Sequence, residues 1–228
     1  MDLTTALLFY VVLLVSLVVH EASHATFALL GGDRTAYAGG QVTLNPVPHI
    51  RREPFGTVFL PLIMLFVSKG AWCMGYASTP IDALWARFHP RRAALMSAAG
   101  PLANLALAAL AFLILKLLIS MGHVIPKHGF YFALLAEPAD RADSGPLFAA
   151  CRILSVFVSL NLLLAVFNLY PLPPLDGAGV VEGLLPRTSG LFDFLRSQPM
   201  LMIGGLIVVW YTLPDLAWPV LDQVQRWL

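Results

Sequence analysis

His20-Glu21-Ala22-Ser23-His24 closes an apolar run that begins at Leu3, and the reading of these five residues decides the rest of the chain. On a helix, positions i and i+4 share a face, so the two imidazoles can chelate one metal ion while Glu21 beside them handles the protons of a water molecule. With 6 His in 228 residues and Glu only at 21, 53, 137 and 182, a chance match to this pattern is expected about 0.003 times per chain. Ionisable groups at membrane depth are costly by a few kcal/mol or more each, so a cluster of three points to function rather than packing.

The surroundings are those of a membrane. Hydrophobic residues make up 58% of the sequence and charged ones 12%, against a soluble norm of about 25% charged. The chain is expected to be an all-α polytopic membrane protein embedded in the lipid bilayer. A net charge of +1 gives no case for a nucleic-acid partner or a polybasic lipid-binding tail. Cys73 and Cys151 lie in apolar surroundings and read as small packing residues, not a disulfide framework. Met1-Asp2-Leu3-Thr4-Thr5 lacks the basic start of a signal peptide, so the first segment is expected to be retained. The longest polar stretches, around 31 to 54 and 121 to 146, are too short for a separate core. The expected organisation is one domain over 1–228, with a core over 3–185 and a last span and interfacial tail over 199–228.

In chain order, a first helix is predicted from Leu3 to Leu30, stopping at Gly31-Gly32. His20 then lies roughly 25 Å along it, nearer the exit end. Gly39-Gly40-Gln41-Val42-Thr43-Leu44-Asn45-Pro46 reads as a turn, a short strand and a break, which suits a β-hairpin beside the site. Phe55 to Ala77 is apolar but broken by Gly56, Pro61, Lys69 and Gly70, with only 15 uncharged residues between Glu53 and Lys69. Re-entrance is favoured over crossing. Ala93 to Leu115 is a clear span of 23 uncharged residues, with small residues at Ala98, Ala99, Gly100, Ala103 and Ala106 for close helix approach. A polar connection carrying Lys127, Glu137, Asp140, Arg141 and Asp143 leads to a third apolar run, Ile153 to Leu175. That run is interrupted at Asn168-Leu169-Tyr170-Pro171-Leu172-Pro173-Pro174-Leu175-Asp176-Gly177, where three prolines break the helix. Broken backbone at depth lines a polar interior, so Asp176 is expected at an internal site. Residues 199 to 213 form a candidate last span, with Trp218, Arg226 and Trp227 as anchors in the tail from Pro214. This makes four to six membrane segments in all, with a broken helix at the Asp-Gly motif.

Catalytic zinc sites take three protein ligands and keep one position open. His20 and His24 supply two, and Asp176 is the clearest further intramembrane carboxylate. Peptide hydrolysis suits this set, with Glu21 taking a proton from water and returning it to the leaving amine. A helical substrate must unwind to reach such a site, and the strand-like Val42–Asn45 could pair with it.

His20-Glu21-Ala22-Ser23-His24, Ala99-Gly100-Pro101-Leu102-Ala103-Asn104 and Asn168-x-x-Pro171-x-x-x-Leu175-Asp176-Gly177 together resemble the site-2 protease family of intramembrane zinc metalloproteases over roughly 15 to 185. The resemblance implies one zinc ion bound by His20, His24 and Asp176, a catalytic Glu21, and cleavage of the membrane-spanning segments of a substrate protein. Gly40 to Pro46 and His49 are similar to compact prokaryotic members, which lack a PDZ domain. Asn168, Asn45, His49 and Asn104 become candidates for substrate contact or for steadying the site. Where compact relatives often carry Lys-Pro after Gly75-Tyr76-Ala77, this chain has Ser78-Thr79-Pro80. If 55–77 is re-entrant, Arg34, Arg51, Arg52, Lys69, Arg87, Arg91 and Arg92 share one side, which the positive-inside rule places in the cytoplasm together with the metal motif of a multi-pass cell-membrane protein. Two other classes remain open from sequence: a non-catalytic relative that binds partner helices, and a metal or ion transporter.

Overall fold

The computed structural model describes residues 3–69, 73–127, 129, 131–140 and 144–228. Among them, four helices are long and apolar enough to cross a membrane: α1 (Leu3–Gly31), α6 (Pro90–Ser120), α7 (Pro146–Asn168) and α10 (Pro199–Arg226). The shorter helices between them are α2 (Thr35–Ala38), α3 (Pro46–Arg52), α4 (Leu60–Val67), α5 (Ala83–Phe88), α8 (Asp176–Leu184) and α9 (Ser189–Ser197). The all-α polytopic architecture is the one expected.

α1 ends as its glycines predict. The Gly32 amide donates to Leu29 and the Asp33 amide to Ala28, the paired bonds of a Schellman stop. The Gly31 carbonyl accepts from Trp85 Nε1 and Arg92 at 3.0 Å each, which places the starts of α5 and α6 at the same end of the molecule. The opposite end is closed by Arg152 on Thr5, by Lys116 on the Trp227 carbonyl, and by Gln225 Nε2, which donates to the carbonyls of Lys127 and Leu135. α6 packs between α1 and α7 through small residues, with Ala94, Ala99, Gly100, Ala108 and Ala111 buried. In lipid such close approach supplies the dispersion contacts that water would otherwise enforce. An apolar core of Phe9, Val12, Leu13, Leu17, Leu65, Val156 and Leu160 joins α1, α4 and α7.

The segment after α3 comes back beside its own start. A π-turn at Phe55–Phe59 runs into α4, giving an apolar helix over Phe55–Val67. At 1.5 Å per residue this reaches about 20 Å, short of the roughly 30 Å hydrocarbon core. The chain then returns extended, and the Tyr76 amide donates to the Gly56 carbonyl at 3.0 Å. Only glycine fits at 56, because a Cβ there would overlap the Tyr76 carbonyl and ring.

Three expectations are corrected. The strand at Val42–Asn45 is absent: Asn45 Oδ1 accepts from the Val47 amide and Thr43 Oγ1 from the Asn45 amide. These local bonds satisfy the backbone and start a helix at Pro46 in place of a hairpin. The one short hairpin among the described residues lies at the far end, where β1 (Val124–Pro126) pairs antiparallel with β2 (Ala136–Pro138). The last helix continues past 213 to Arg226 through Pro214 and Pro219, because Leu213, Ala217 and Leu221 bury one face against Leu162, Leu163 and Val166 of α7. Met1, Asp2, Gly70, Arg141 and Asp143 lie outside the described residues.

Candidate metal centre

His20 and His24 occupy successive turns of α1, both buried, with their Nε2 atoms 3.0 Å apart. The Asp-Gly turn delivers Asp176 to the same point. α7 ends at Asn168 and the prolines at 171, 173 and 174 prevent its continuation, so α8 restarts at Asp176 with the carboxylate on its first turn. Asp176 Oδ2 lies 3.1 Å from His20 Nε2, and Oδ1 lies 3.3 Å from His24 Nε2.

The outer nitrogens fix what the inner ones are. His24 Nδ1 is 2.7 Å from the Met96 carbonyl, an obligate acceptor, so Nδ1 carries the proton. For His20 the argument runs through two amides. Asn161 Nδ2 donates to the Phe157 carbonyl, which leaves its Oδ1 to accept from Asn104 Nδ2 at 2.8 Å. Asn104 Oδ1 then faces His20 Nδ1 at 2.6 Å, and that nitrogen is the donor. In the neutral rings both Nε2 atoms then present lone pairs to each other and to a carboxylate. Asp176 Oδ2 is buried with no hydrogen-bond donor. Three electron-pair donors converging without a proton among them fit a cation, and imidazole with carboxylate is a zinc donor set.

Space has been kept for it. A Cβ on Gly100 of α6 would overlap His20 and His24 at Nε2, so the residue facing the donors is one with no side chain. Glu21, on the adjacent face of α1, is only 4% exposed. The ligating atoms of His20, Glu21 and His24 all lie within 4.8 Å of one another. Glu21 Oε2 accepts from Thr79 Oγ1 at 2.7 Å, and the Glu21 carbonyl is 3.0 Å from the same hydroxyl.

The structure thus brings His20, Glu21, His24, Asp176 and Asn104 together. The hydrogen bonds of the other candidates run to backbone groups outside this cluster. Asn168 Nδ2 donates back to the Leu164 carbonyl of its own helix, Asn45 caps α3, and buried His49 donates from Nε2 to the Thr43 carbonyl. The cavity beside residues 42–44, about 280 Å³, is lined by Ala22, Ser23, Thr26 and Phe27, and none of the metal-facing residues borders it. Asn161 and Thr79 were not singled out from sequence. An amide in the middle of an apolar span was a legible signal for Asn161; a threonine in a loop carries none.

The sequence matches the family model of peptidase family M50 over residues 8–212. It is 34% identical over 176 residues to "Putative zinc metalloprotease YwhC" of Bacillus subtilis, an alignment covering 77% of this chain and 68% of that protein. It is 33% identical over 177 residues to "Putative zinc metalloprotease Rip2" of Mycobacterium tuberculosis, covering 77% of this chain and 57% of the other. The protein of that name in Mycolicibacterium smegmatis is 30% identical over 199 residues, 86% and 64% respectively. The aligned region thus spans less than two thirds of the mycobacterial relatives. No solved structure matches.

Proposed function

The chain belongs to peptidase family M50, the site-2 protease family of membrane zinc metalloproteases, and from that premise we propose that it hydrolyses peptide bonds within or near the transmembrane segments of membrane-protein substrates. The observation that carries the reading is the convergence of two imidazole lone pairs and a carboxylate beside a buried glutamate. His20, His24 and Asp176 are the proposed zinc ligands, one ion per chain. Zinc held there supplies Lewis acidity, which polarises a carbonyl and makes water acidic near neutral pH.

Glu21 takes the proton of the attacking water and returns it to the departing amine as the C–N bond breaks. Asn104 and the Met96 carbonyl hold the two imidazoles in the tautomer that leaves Nε2 free. A scissile bond in a helix is masked by its own hydrogen bonds, so a substrate reaches Glu21 with its backbone locally unwound. The proposed location is the cell membrane, with the centre toward the cytoplasm. In support, Arg34, Arg51, Arg52, Arg87, Arg187 and Arg196 all lie in connections at the end that carries the metal-facing residues.

The deciding experiment pairs zinc content with cleavage of a panel of single-span transmembrane peptides, for wild type and Glu21→Gln. About one zinc per chain is expected in both, with cleavage lowered by about 10²- to 10⁴-fold in the variant. Protein that purifies without zinc and fails to take it up would refute the centre, and equal cleavage by both proteins would refute the role of Glu21.

A further inference from the structure

We infer that Thr79 is a positioning residue for Glu21: its hydroxyl holds carboxylate oxygen Oε2 and leaves Oε1 to receive the proton from water. The inference rests on the protease reading above. Its ground is a contact between segments 58 residues apart, in which Thr79 Oγ1 lies 2.7 Å from Glu21 Oε2 and 3.0 Å from the Glu21 carbonyl. A hydroxyl has one proton, and both acceptors in reach belong to the same residue. The shorter contact is to the charged carboxylate oxygen, the stronger acceptor of the two, so the proton goes to Oε2 and the threonine holds the Glu21 side chain against the helix that carries the ligands.

The extended segment bearing Thr79 is anchored on both sides of it. The Tyr76 amide bonds Gly56, the Ser78 carbonyl accepts from Arg52 Nε at 3.0 Å, and the Ser78 hydroxyl donates to Glu53. Beyond it, the Asp82 amide donates to Asp33 Oδ2 at 2.9 Å. Pro80 confines Thr79 to extended backbone, which suits a residue presented edge-on to a neighbouring helix. These anchors come from α3, the turn at Gly56 and the end of α1, so the hydroxyl is delivered by a frame outside the bundle core. A carboxylate 4% exposed has few other means of fixing its rotamer.

The test uses full-length protein with Thr79→Val, which keeps the shape and removes the donor, and Thr79→Ser, which keeps the donor. On the best-cleaved transmembrane peptide, Thr79→Val is expected to lower kcat by about 10- to 100-fold with KM within about twofold and zinc content unchanged, while Thr79→Ser restores kcat to within about threefold. A Thr79→Val enzyme with wild-type kcat, or failure of Thr79→Ser to restore it, overturns the inference. A second readout needs no activity. In chelator-treated protein, Thr79→Val should lower Tm in the wild-type background by at least twice as much as in Glu21→Ala. Equal shifts in the two backgrounds overturn the contact. A wild type that cleaves nothing strikes the protease reading, and the thermal comparison then decides for or against Thr79 by itself.

Discussion

At the scale of single residues, the site depends as much on groups that never touch a metal as on those that would. Asn104 is fully buried and its oxygen has one function in the structure, to accept from His20 Nδ1. Asn104→Ala should weaken zinc binding by about 10- to 100-fold, the usual cost of losing the partner of a ligating histidine, as read by competition with a chromogenic chelator. The corresponding partner of His24 is a backbone carbonyl, which no substitution at Met96 removes. The His20, Glu21 and His24 cluster was legible in the sequence because its spacing has a chemical reason independent of context, and Asp176 because prolines break the span just before it. Thr79 was not, because a loop hydroxyl means something only once its neighbour across 58 residues is known. Asn45 and His49 have side-chain types that suit a site, and in the structure one caps a helix while the other donates to a backbone carbonyl.

Among the elements, the connection from the end of α1 to α5 is gathered on Asp33. Burial alone pushes its carboxyl up, but hydrogen bonds from the Thr35 hydroxyl and from the amides of Asp82 and Thr35 outweigh that and hold it below its ordinary value. A carboxyl lowered on folding binds fewer protons than in the unfolded chain, so it stabilises above its ordinary pKa of about 3.9 and loses that contribution as pH falls through the folded-state value. Limited proteolysis of the 33–82 connection should therefore accelerate as pH drops below about 4 in wild type. Asp33→Asn, which cannot titrate, should be cut more readily at neutral pH and show little further change in acid. The long helices were readable from apolar length, and the break before Asp176 from its prolines. The 39–46 stretch was not, because Thr43 and Asn45 bond the backbone locally and defeat a strand reading of Val42-Thr43-Leu44. Pro214 reads from sequence as the end of the last span, but a helix packed on α7 tolerates Pro214 and Pro219 where neighbours hold its faces.

For the whole molecule, the four long helices put the 31–90 and 169–198 connections at one end and the β1–β2 hairpin at the other. Cys73 and Cys151 are both buried, so single reporter cysteines can be read against a quiet background. In intact spheroplasts, a cysteine at exposed Tyr37 or Phe194 should resist an impermeant maleimide until the membrane is lysed, while one at exposed Tyr131 should label at once. The reverse pattern would invert the proposed orientation. The amide relay described above has a consequence at this scale. From His20 it passes through Asn104 to Asn161 and the Phe157 carbonyl, so α1, α6 and α7 share one hydrogen-bonded line that ends at the donor atoms. Ion capture and bundle closure are then coupled equilibria, and reciprocity requires each to report on the other. A chelator acts on such a protein as a mild denaturant, and a lesion in α7 far from any donor atom reads out as a looser grip on the ion. Metal scarcity would reach the cell as accelerated turnover of the protein and not as a standing pool of idle enzyme.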